Sequence, residues 1–344
     1  MAVMGLWTGC ASSAKPVPKD SEGPAVVWPL PPDPPRVRYV ETISSDLDVK
    51  GKTKRSVKDI MLGIEPDRVA IHLGRPAAVV VDSKGRALVT DDGNPGIHVY
   101  DIPHRTFALY GTEGEGSLPW PMGIAVDGED NIYVSDHKRS TVYKFSPAGK
   151  FLSKVGEFEN PVGVAVDKTR GLLFVVDSQK HHVQVFTMDG KLKQTIGERG
   201  SDEGQFNYPT YCAVDNGGSL YVVDTGNTRV QVFDRNFEVV GSFGTNGTAP
   251  GQFTRPKGIA VDRHGLIYVT DAAFNNFQIF DPEFRLLLAA GEAGADRGQF
   301  RLPSGIFVDN NDRIYVADYG NGRLQILQLL SASVPKENPA APAQ

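Results

Sequence analysis

The stretch PTYCAVDNGGSLYVVDTGNTRVQVF, residues 209–233, decides the fold of this chain. It contains three short runs of mainly β-branched and aromatic residues, separated by turn formers such as Asn216-Gly217-Gly218-Ser219. Short apolar runs bounded by clusters of Gly, Asn, Asp and Ser are typical of β-strands joined by tight turns. The stretch therefore predicts three successive antiparallel strands.

The same pattern occurs six times along the chain. In each copy a proline is followed six residues later by an aspartate and, nine or ten residues after that, by a second aspartate. The prolines are Pro76, Pro121, Pro161, Pro209, Pro256 and Pro303. The first aspartates are Asp82, Asp127, Asp167, Asp215, Asp262 and Asp309, and the second are Asp91, Asp136, Asp177, Asp224, Asp271 and Asp318. Successive prolines lie 40 to 48 positions apart, which is the length of a propeller blade.

A fourth strand completes most copies, as in Val239-Val240-Gly241-Ser242-Phe243. A sheet of four such strands is apolar on both faces, so it must stack between neighbours, and radial stacking that closes on itself satisfies every copy. A repeated Gly-Gln-Phe sequence is expected to place an aromatic ring between adjacent blades, at Phe206, Phe253 and Phe300. We therefore predict an all-β fold, a six-bladed β-propeller over residues 36–330.

The sixth copy has no fourth strand, because a tail rich in Ser, Ala and Pro follows Leu330. The segment Arg36–Ser44 alternates like a strand and belongs to no copy. We expect this N-terminal strand to supply the outer strand of the last blade, so that the ring closes and no sheet edge is left exposed.

The segments Leu-Tyr-Val-Val-Asp and Thr-Gly-Asn-Thr-Arg within residues 220–229 resemble an NHL repeat, and Asn321-Gly322-Arg323-Leu324-Gln325 repeats the theme. The resemblance extends from Arg36 to Leu330 and implies the six-bladed propeller. It implies little about function, because NHL proteins include protein-binding, RNA-binding, sensor and enzymatic members.

Composition and charge narrow the class of protein. The 344 residues are 40% hydrophobic and 22% charged, with 37 Gly and 24 Pro, as in a globular protein with many turns. The formal net charge of -5 provides no basic excess, so we expect no nucleic-acid partner. Cys10 and Cys212 predict no disulfide, and Cys212 stands where other copies have Ile or Val, so we expect it to be buried. We expect a monomer.

The N-terminal residues resemble the end of a bacterial lipoprotein signal. A short apolar stretch ends at Gly9-Cys10, where a small residue precedes a cysteine that becomes lipidated after cleavage. A Pro-rich run over residues 16–35 then predicts a stiff tether. We expect residues 1–35 to be signal and tether, Cys10 to carry the lipid, and residues 331–344 to be a disordered tail. The domain would lie in the cell envelope outside the cytoplasm, held at the membrane only by this anchor. If the signal does not function, the protein is cytoplasmic.

The repeated aspartates could suggest calcium binding or catalysis, but their presence in every copy favours a structural role. The first aspartate of a copy can accept hydrogen bonds from amides of its own turn, and the second can order the loop that follows it.

One face of the predicted disk carries the varied residues of the repeat. When the strands of a blade are lettered a to d from the axis outward, this face holds the b–c loops and the d–a loops. Its aromatic rings and cations suit a protein or peptide, a glycan or an anionic small molecule. The residues that we predict to form this ligand-binding face are Arg75, Trp120, His137, His181, Tyr208, Arg255, Lys257 and Tyr319, with Asp92 and Arg323 in the same loops.

Two functions stay open from the sequence. The first is an extracytoplasmic binding or scaffold module. The second is a metal-dependent lyase or hydrolase with zinc or calcium in the central channel, because the peptidyl-α-hydroxyglycine amidating lyase resembles this fold. In that enzyme the zinc histidines directly follow the blade prolines, whereas the residues here are Ala77, Met122, Val162, Thr210, Lys257 and Ser304. His137 and His181 alone are too few ligands for a zinc site. We therefore favour binding, with no cofactor and no catalytic residue predicted.

Overall fold

The structure is a computed structural model that describes residues 24–51, 61 and 69–330. Regular structure in these ranges is almost entirely β, apart from the short α-helix Asp46–Lys50, the helical residue Met61 and three single-turn 3₁₀ helices at Gly114–Gly116, Thr225–Asn227 and Tyr319–Asn321. No helix in this part of the chain is long and apolar enough to cross a membrane.

The elements follow the predicted repeats. Before the first repeat come β1 (Val27–Trp28), β2 (Val37–Ile43) and α1 (Asp46–Lys50). Blade 1 contains β3 (Pro76–Val81), β4 (Ala87–Asp91), β5 (Gly96–Asp101) and β6 (Thr106–Tyr110). Blade 2 contains β7 (Pro121–Val126), β8 (Ile132–Asp136), β9 (Thr141–Phe145) and β10 (Phe151–Val155). Blade 3 contains β11 (Pro161–Asp167), β12 (Leu172–Asp177), β13 (His182–Thr187) and β14 (Leu192–Ile196). Blade 4 contains β15 (Cys212–Val214), β16 (Leu220–Asp224), β17 (Arg229–Phe233) and β18 (Val239–Phe243). Blade 5 contains β19 (Pro256–Val261), β20 (Ile267–Asp271), β21 (Asn276–Phe280) and β22 (Leu286–Ala290). The last strands are β23 (Pro303–Val308), β24 (Arg313–Asp318) and β25 (Arg323–Leu329).

Each repeat forms one antiparallel sheet. Within a sheet the strands lie side by side in chain order, as β3, β4, β5 and β6 do in blade 1. The first strand of every blade contacts the first strands of both neighbouring blades, and β23 contacts β3. The six sheets therefore close into a ring around an axis lined by their first strands, which confirms the predicted six-bladed propeller.

The N-terminal strand closes the ring as predicted. β2 pairs antiparallel with β25, from Val37 opposite Leu329 to Ile43 opposite Leu324. Val37 and Ile43 are 0% and 1% exposed, so the strand is part of the core as well as of the sheet.

The structure corrects the prediction at one point of the Pro-rich segment, because Val26–Trp28 lie on the propeller rather than in a tether. Val27 and Trp28 form β1, a fifth strand on the outer edge of the last blade. The amide of Tyr39 donates to the carbonyl of Val26 at 2.9 Å. Trp28 and Val26 also pack over Gly298, where a side chain would collide with them. Val26 and Trp28, apolar residues of the Pro-rich segment, therefore pack on the last blade because β2 and Gly298 offer them contacts there.

The core lies between the blades, and Phe206, Phe253 and Phe300 are all 0% exposed, as predicted. The Phe253 ring lies 6.5 Å from that of Phe243 in blade 4 and 5.8 Å from that of Phe280 in blade 5, measured between ring centroids.

Cys212 is buried as predicted, and burial raises the pKa of its thiol to about 12. Cys10, the rest of the predicted signal and the predicted tail at residues 331–344 lie outside the described residues.

Candidate ligand-binding face

The strand register places two sets of loops on one face of the disk. In blade 5, Pro256 at the start of the first strand pairs with Asp271 at the end of the second. Asp271 in turn pairs with Asn276 at the start of the third strand. The b–c loops and the d–a loops therefore share this face, as predicted, and we call it the mouth face.

The second aspartate of each repeat shapes the mouth face from beneath. Asp271 accepts hydrogen bonds from the amides of Thr254 and Arg255 before the proline and of Ala273 and Phe274 in the b–c loop, at 2.8–3.2 Å. The corresponding residues are all 0% exposed: Asp91, Asp136, Asp177, Asp224, Asp271 and Asp318. These carboxylates tie the two loops of each blade together, which confirms their predicted structural role.

The first aspartates brace the turns on the opposite face. Asp262 accepts hydrogen bonds from the amides of His264 and Leu266 at 2.8 and 2.9 Å, and from the hydroxyl of Tyr268 at 2.9 Å. This is the predicted use of an aspartate within its own turn.

Predicted site residues from blades 2, 3 and 4 form a continuous rim on the mouth face. The rings of Trp120 and His137 meet edge to face at 4.7 Å, and His137 Nδ1 lies 2.6 Å from Oδ1 of Asn160 in the next blade. The ring of His181 lies 4.5 Å from that of Tyr208 in the following blade. The amide of Tyr208 donates to His181 Nδ1 at 3.0 Å. The b–c loops of blades 2 and 3 thus contact the residue before the next blade's proline.

The rim continues across blades 6 and 1. Arg75 Nε lies 2.7 Å from Oδ1 of Asp92, and the hydroxyl of Tyr319 donates to Asp92 Oδ2 at 3.3 Å. Burial raises the pKa of Asp92, while Arg75, Tyr319 and Trp120 act to lower it. Six of the eight predicted site residues therefore fall into two contact groups. Arg75, Tyr319, Trp120 and His137 are linked through Asp92 and Trp120, and His181 and Tyr208 form a separate pair.

Three large apolar side chains of the mouth face are exposed to solvent. Trp120 is 42% exposed, Tyr208 is 46% exposed and Leu302 is 41% exposed, and each precedes a blade proline. Tyr208 and Leu302 also have left-handed backbones, with φ of 46° and 51°. This conformation costs a residue with a Cβ about 1–2 kcal/mol, and strain of this kind is concentrated at binding and active sites.

Arg255 and Lys257, the remaining predicted residues, flank Pro256 at the start of blade 5. Arg255 is exposed and Lys257 is half-buried. Burial and the neighbouring charge of Arg255 lower the pKa of Lys257 to about 8. This part of the mouth face is therefore cationic.

Tyr211 closes the axis just beneath the mouth face. This role of Tyr211 was not predicted from the sequence. Four copies have glycine at this position of the first strand, where a Cβ would collide with the backbone of the next blade: Gly123, Gly163, Gly258 and Gly305. Blade 4 has Tyr211 instead, and its hydroxyl donates to the carbonyl of Ala77 in blade 1 at 3.1 Å. The one tyrosine in a column of small residues was the signal that could have identified it.

Tyr211 separates the mouth face from a cavity of about 570 Å³ along the axis. First strands of all six blades line this cavity, which extends from Tyr211 to turn residues of the opposite face such as Ser83, Asn216 and Asn310. The mouth face is therefore a floored depression rather than the entrance of an open channel.

Arg323 does not belong to the mouth, contrary to its placement with the varied loops. Its Nε lies 2.7 Å from Asp318 Oδ2, and its Nη2 donates to the carbonyls of Asp296 and Gln299 at 2.8 and 2.7 Å. Only 11% of its side chain is exposed. Arg323 is therefore a brace between loops, because its length and five donors suit several carbonyls at once.

No group of three or more His, Cys, Asp or Glu side chains within residues 24–51, 61 and 69–330 is placed to hold a metal ion. His137 and His181 each use Nδ1 in a contact with the next blade. They act as rim residues that join neighbouring loops.

Comparisons with known families agree with this architecture. Residues 253–280 and 300–327 match the NHL repeat, and residues 157–242 match a family described as a 6-bladed beta-propeller. The chain carries NHL repeats in a six-bladed β-propeller.

Similarity to a curated protein is local. The chain is 34% identical over 80 residues to Protein brain tumor of Drosophila melanogaster. These 80 residues are 23% of this chain and 8% of that protein. The matched part is thus a small fraction of that relative.

Solved structures share the fold at low sequence identity. An auxiliary nutrient binding protein from Bacteroides thetaiotaomicron aligns with a TM-score of 0.61 at 13% identity, covering 74% of this chain and 69% of that one. A streptogramin B lyase aligns with a TM-score of 0.59 at 13% identity over 77% and 97% of the two chains. A gluconolactonase from Xanthomonas campestris aligns with a TM-score of 0.57 at 16% identity over 90% and 98%. These similarities support the propeller fold alone.

Proposed function

We propose that this chain, a six-bladed β-propeller carrying NHL repeats, is a binding module that docks a protein or peptide on its mouth face. The observation that carries the proposal is the rim itself. Trp120 and Tyr208 are exposed on it, the Trp120 ring packs against His137 of its own blade, and the Tyr208 ring packs against His181 of the preceding blade. A rigid scaffold that presents varied loop residues on one face is the usual arrangement for recognition.

The chemistry of the rim suits a protein surface. Tryptophan, tyrosine and arginine are the residues that most often dominate binding energy at protein interfaces. Trp120, Tyr208 and Arg75 bring all three types to one face. Arg75 is ion-paired with Asp92 but keeps 54% of its side chain exposed, so it is oriented and still accessible.

The ring of interblade contacts limits the loss of entropy on binding. The backbone amide of Tyr208 donates a hydrogen bond to His181, and the backbone amide of Leu302 donates one to Asn275 Oδ1 at 2.9 Å. Side chains whose backbone is already fixed lose less freedom when a partner docks. The left-handed backbones at these two positions are therefore supported by the preceding blade.

Affinity capture tests this function. Immobilised full-length protein is incubated with solubilised envelope extract, and bound proteins are quantified for wild type, Trp120→Ala and a matched control, Leu192→Ala. Leu192 is 56% exposed on the outer strand of blade 3, away from the rim. We expect one partner to bind wild type and the control equally, and Trp120→Ala to reduce its recovery at least about tenfold, the effect of an interface hot spot. Equal recovery by all three proteins, with unchanged melting temperatures, would reject the mouth face as the docking site.

The proposed site of action is the cell envelope outside the cytoplasm, with the chain anchored by lipid on Cys10. The support is the Gly9-Cys10 pair after a short apolar stretch. Metabolic labelling with a radioactive fatty acid tests the anchor: wild type should be labelled and found in membranes, and Cys10→Ser should be neither. Equal labelling of both proteins would contradict the assignment.

A further inference from the structure

Arg255 and Lys257 flank Pro256 at the start of blade 5, and the side chain of Lys257 is half-buried. Neither side chain makes a hydrogen bond or an ion pair with any described residue. Elsewhere in the blades, arginines form ion pairs of 2.6–2.9 Å with aspartates of their own blade: Arg86 with Asp82, Arg170 with Asp167, Arg229 with Asp224, Arg285 with Asp281, and Arg323 with Asp318. Lys257 differs from these paired cations because its charge is half-buried with no carboxylate partner among the described residues.

The groups around Lys257 cannot neutralise it. The first strands on either side contribute uncharged residues, Thr210 and Ser304, and Thr210 Oγ1 donates to the Lys257 carbonyl at 3.1 Å. The nearby carboxylate of Asp271 is fully buried and engaged by four backbone amides. The charged neighbour that acts on Lys257 is Arg255, and it has the same sign.

Two cations beside each other, one of them half-buried, are unfavourable in the unliganded protein, because both desolvation and repulsion oppose their charges. An anion in contact with both would relieve the repulsion and replace lost hydration. Arg offers paired donors to a planar or tetrahedral oxyanion, and Lys offers a compact positive charge. The floor formed by Tyr211 keeps such a ligand at the mouth, since the axis is closed there.

We propose that Arg255 and Lys257 form a binding site for an oxyanion, the carboxylate or phosphate group of the ligand that docks on the mouth face. The identity of the biological ligand rests on the proposed binding function. Binding of an oxyanion at Arg255 and Lys257 can be tested with small anions alone. It gives the mouth face two parts with different chemistry: an aromatic rim at blades 2 to 4 and an anion site at blade 5.

Binding of the anion should depend on pH in a defined direction. Lys257 has a pKa of about 8 in the free protein, and a bound anion favours the protonated amine and raises that pKa. The anion should therefore bind best below pH 8 and be released as the pH rises through the higher pKa of the complex. The charged group acting on Lys257, Arg255, stays protonated over this range.

Competitive amine labelling tests the site directly. Full-length protein is exposed to trace acetic anhydride at pH 8, and acetylation of Lys257 is measured by peptide mass spectrometry relative to Lys84, an exposed lysine on the opposite face. One arm contains inorganic phosphate, one contains an N-acetylated dipeptide with a free terminal carboxylate, and one contains chloride at equal ionic strength.

We expect phosphate or the dipeptide to protect Lys257 at least threefold relative to chloride, with no change at Lys84, and the more protective arm identifies the source of the anion. Arg255→Gln, a change at an exposed side chain, should raise the pKa of Lys257 and weaken the protection. Equal labelling of Lys257 in all three arms would overturn the anion site. That result is distinct from failure of the binding function, which is judged by capture with Trp120→Ala.

Discussion

The hydroxyl of Tyr211 in blade 4 donates a hydrogen bond to the carbonyl oxygen of Ala77 in blade 1, 3.1 Å away across the axis of the ring. Blades 1 and 4 are three positions apart in a ring of six, so this contact joins opposite sides of the propeller. It also closes the axial cavity from the mouth face.

Replacing Tyr211 tests this contact. Tyr211→Phe should lower the free energy of unfolding by about 0.5–1.5 kcal/mol, because it removes one buried neutral hydrogen bond and keeps the ring. Urea unfolding measures the change. Tyr208→Phe is the control, since its ring is 46% exposed, and an equal loss in both variants would show that the Tyr211 hydroxyl contributes nothing across the axis.

The closure of the ring by the N-terminal strand predicts the effect of changes far from the repeats. Ile43→Ala should destabilise the protein by about 2–5 kcal/mol, because Ile43, the last residue of β2, is only 1% exposed and packs in the core. Arg38→Ala, at an exposed position of the same strand, is the control and should leave the melting temperature nearly unchanged. If deletion of residues 1–42 did not lower the melting temperature, the strand would not be needed for closure.

The aromatic residue between blades 4 and 5 makes a similar prediction. Phe253→Ala should cost about 3–5 kcal/mol of unfolding free energy, because the ring is completely buried against Phe243 and Phe280. Val240→Ala, at a 59% exposed position of β18, serves as the comparison. A loss below about 1 kcal/mol for Phe253→Ala would mean that the neighbouring blades tolerate the cavity.

The fold could be predicted from the sequence because each repeat carries the same local signals. A proline, two aspartates and turn residues at fixed spacing define the strands, and the missing fourth strand of the last copy identifies the partner of Arg36–Ser44. β1 was missed because two residues among prolines show no periodicity, and Trp28 becomes ordered only through tertiary contact with the region of Gly298.

The candidate site was predicted as a set of positions, not as a set of contacts. Loop topology alone places Trp120, His181 and Tyr208 on one face, so these were accessible to sequence reasoning. Whether a long side chain points to the mouth or along the blade depends on rotamer and neighbours. Arg323 therefore had to be corrected, and the unneutralised state of Lys257 could be recognised only once the surrounding groups were placed.

Site-specific photo-crosslinking in living cells tests the central claim most directly. A benzophenone amino acid is placed at Leu302 on the mouth face, at Leu192 on an outer strand, or at Lys84 on the opposite face, all of which are exposed. If the mouth face is the docking surface, irradiation should yield a discrete adduct of higher mass from the Leu302 position and none from the other two. Adducts from Leu192 or Lys84 with none from Leu302 would contradict the account.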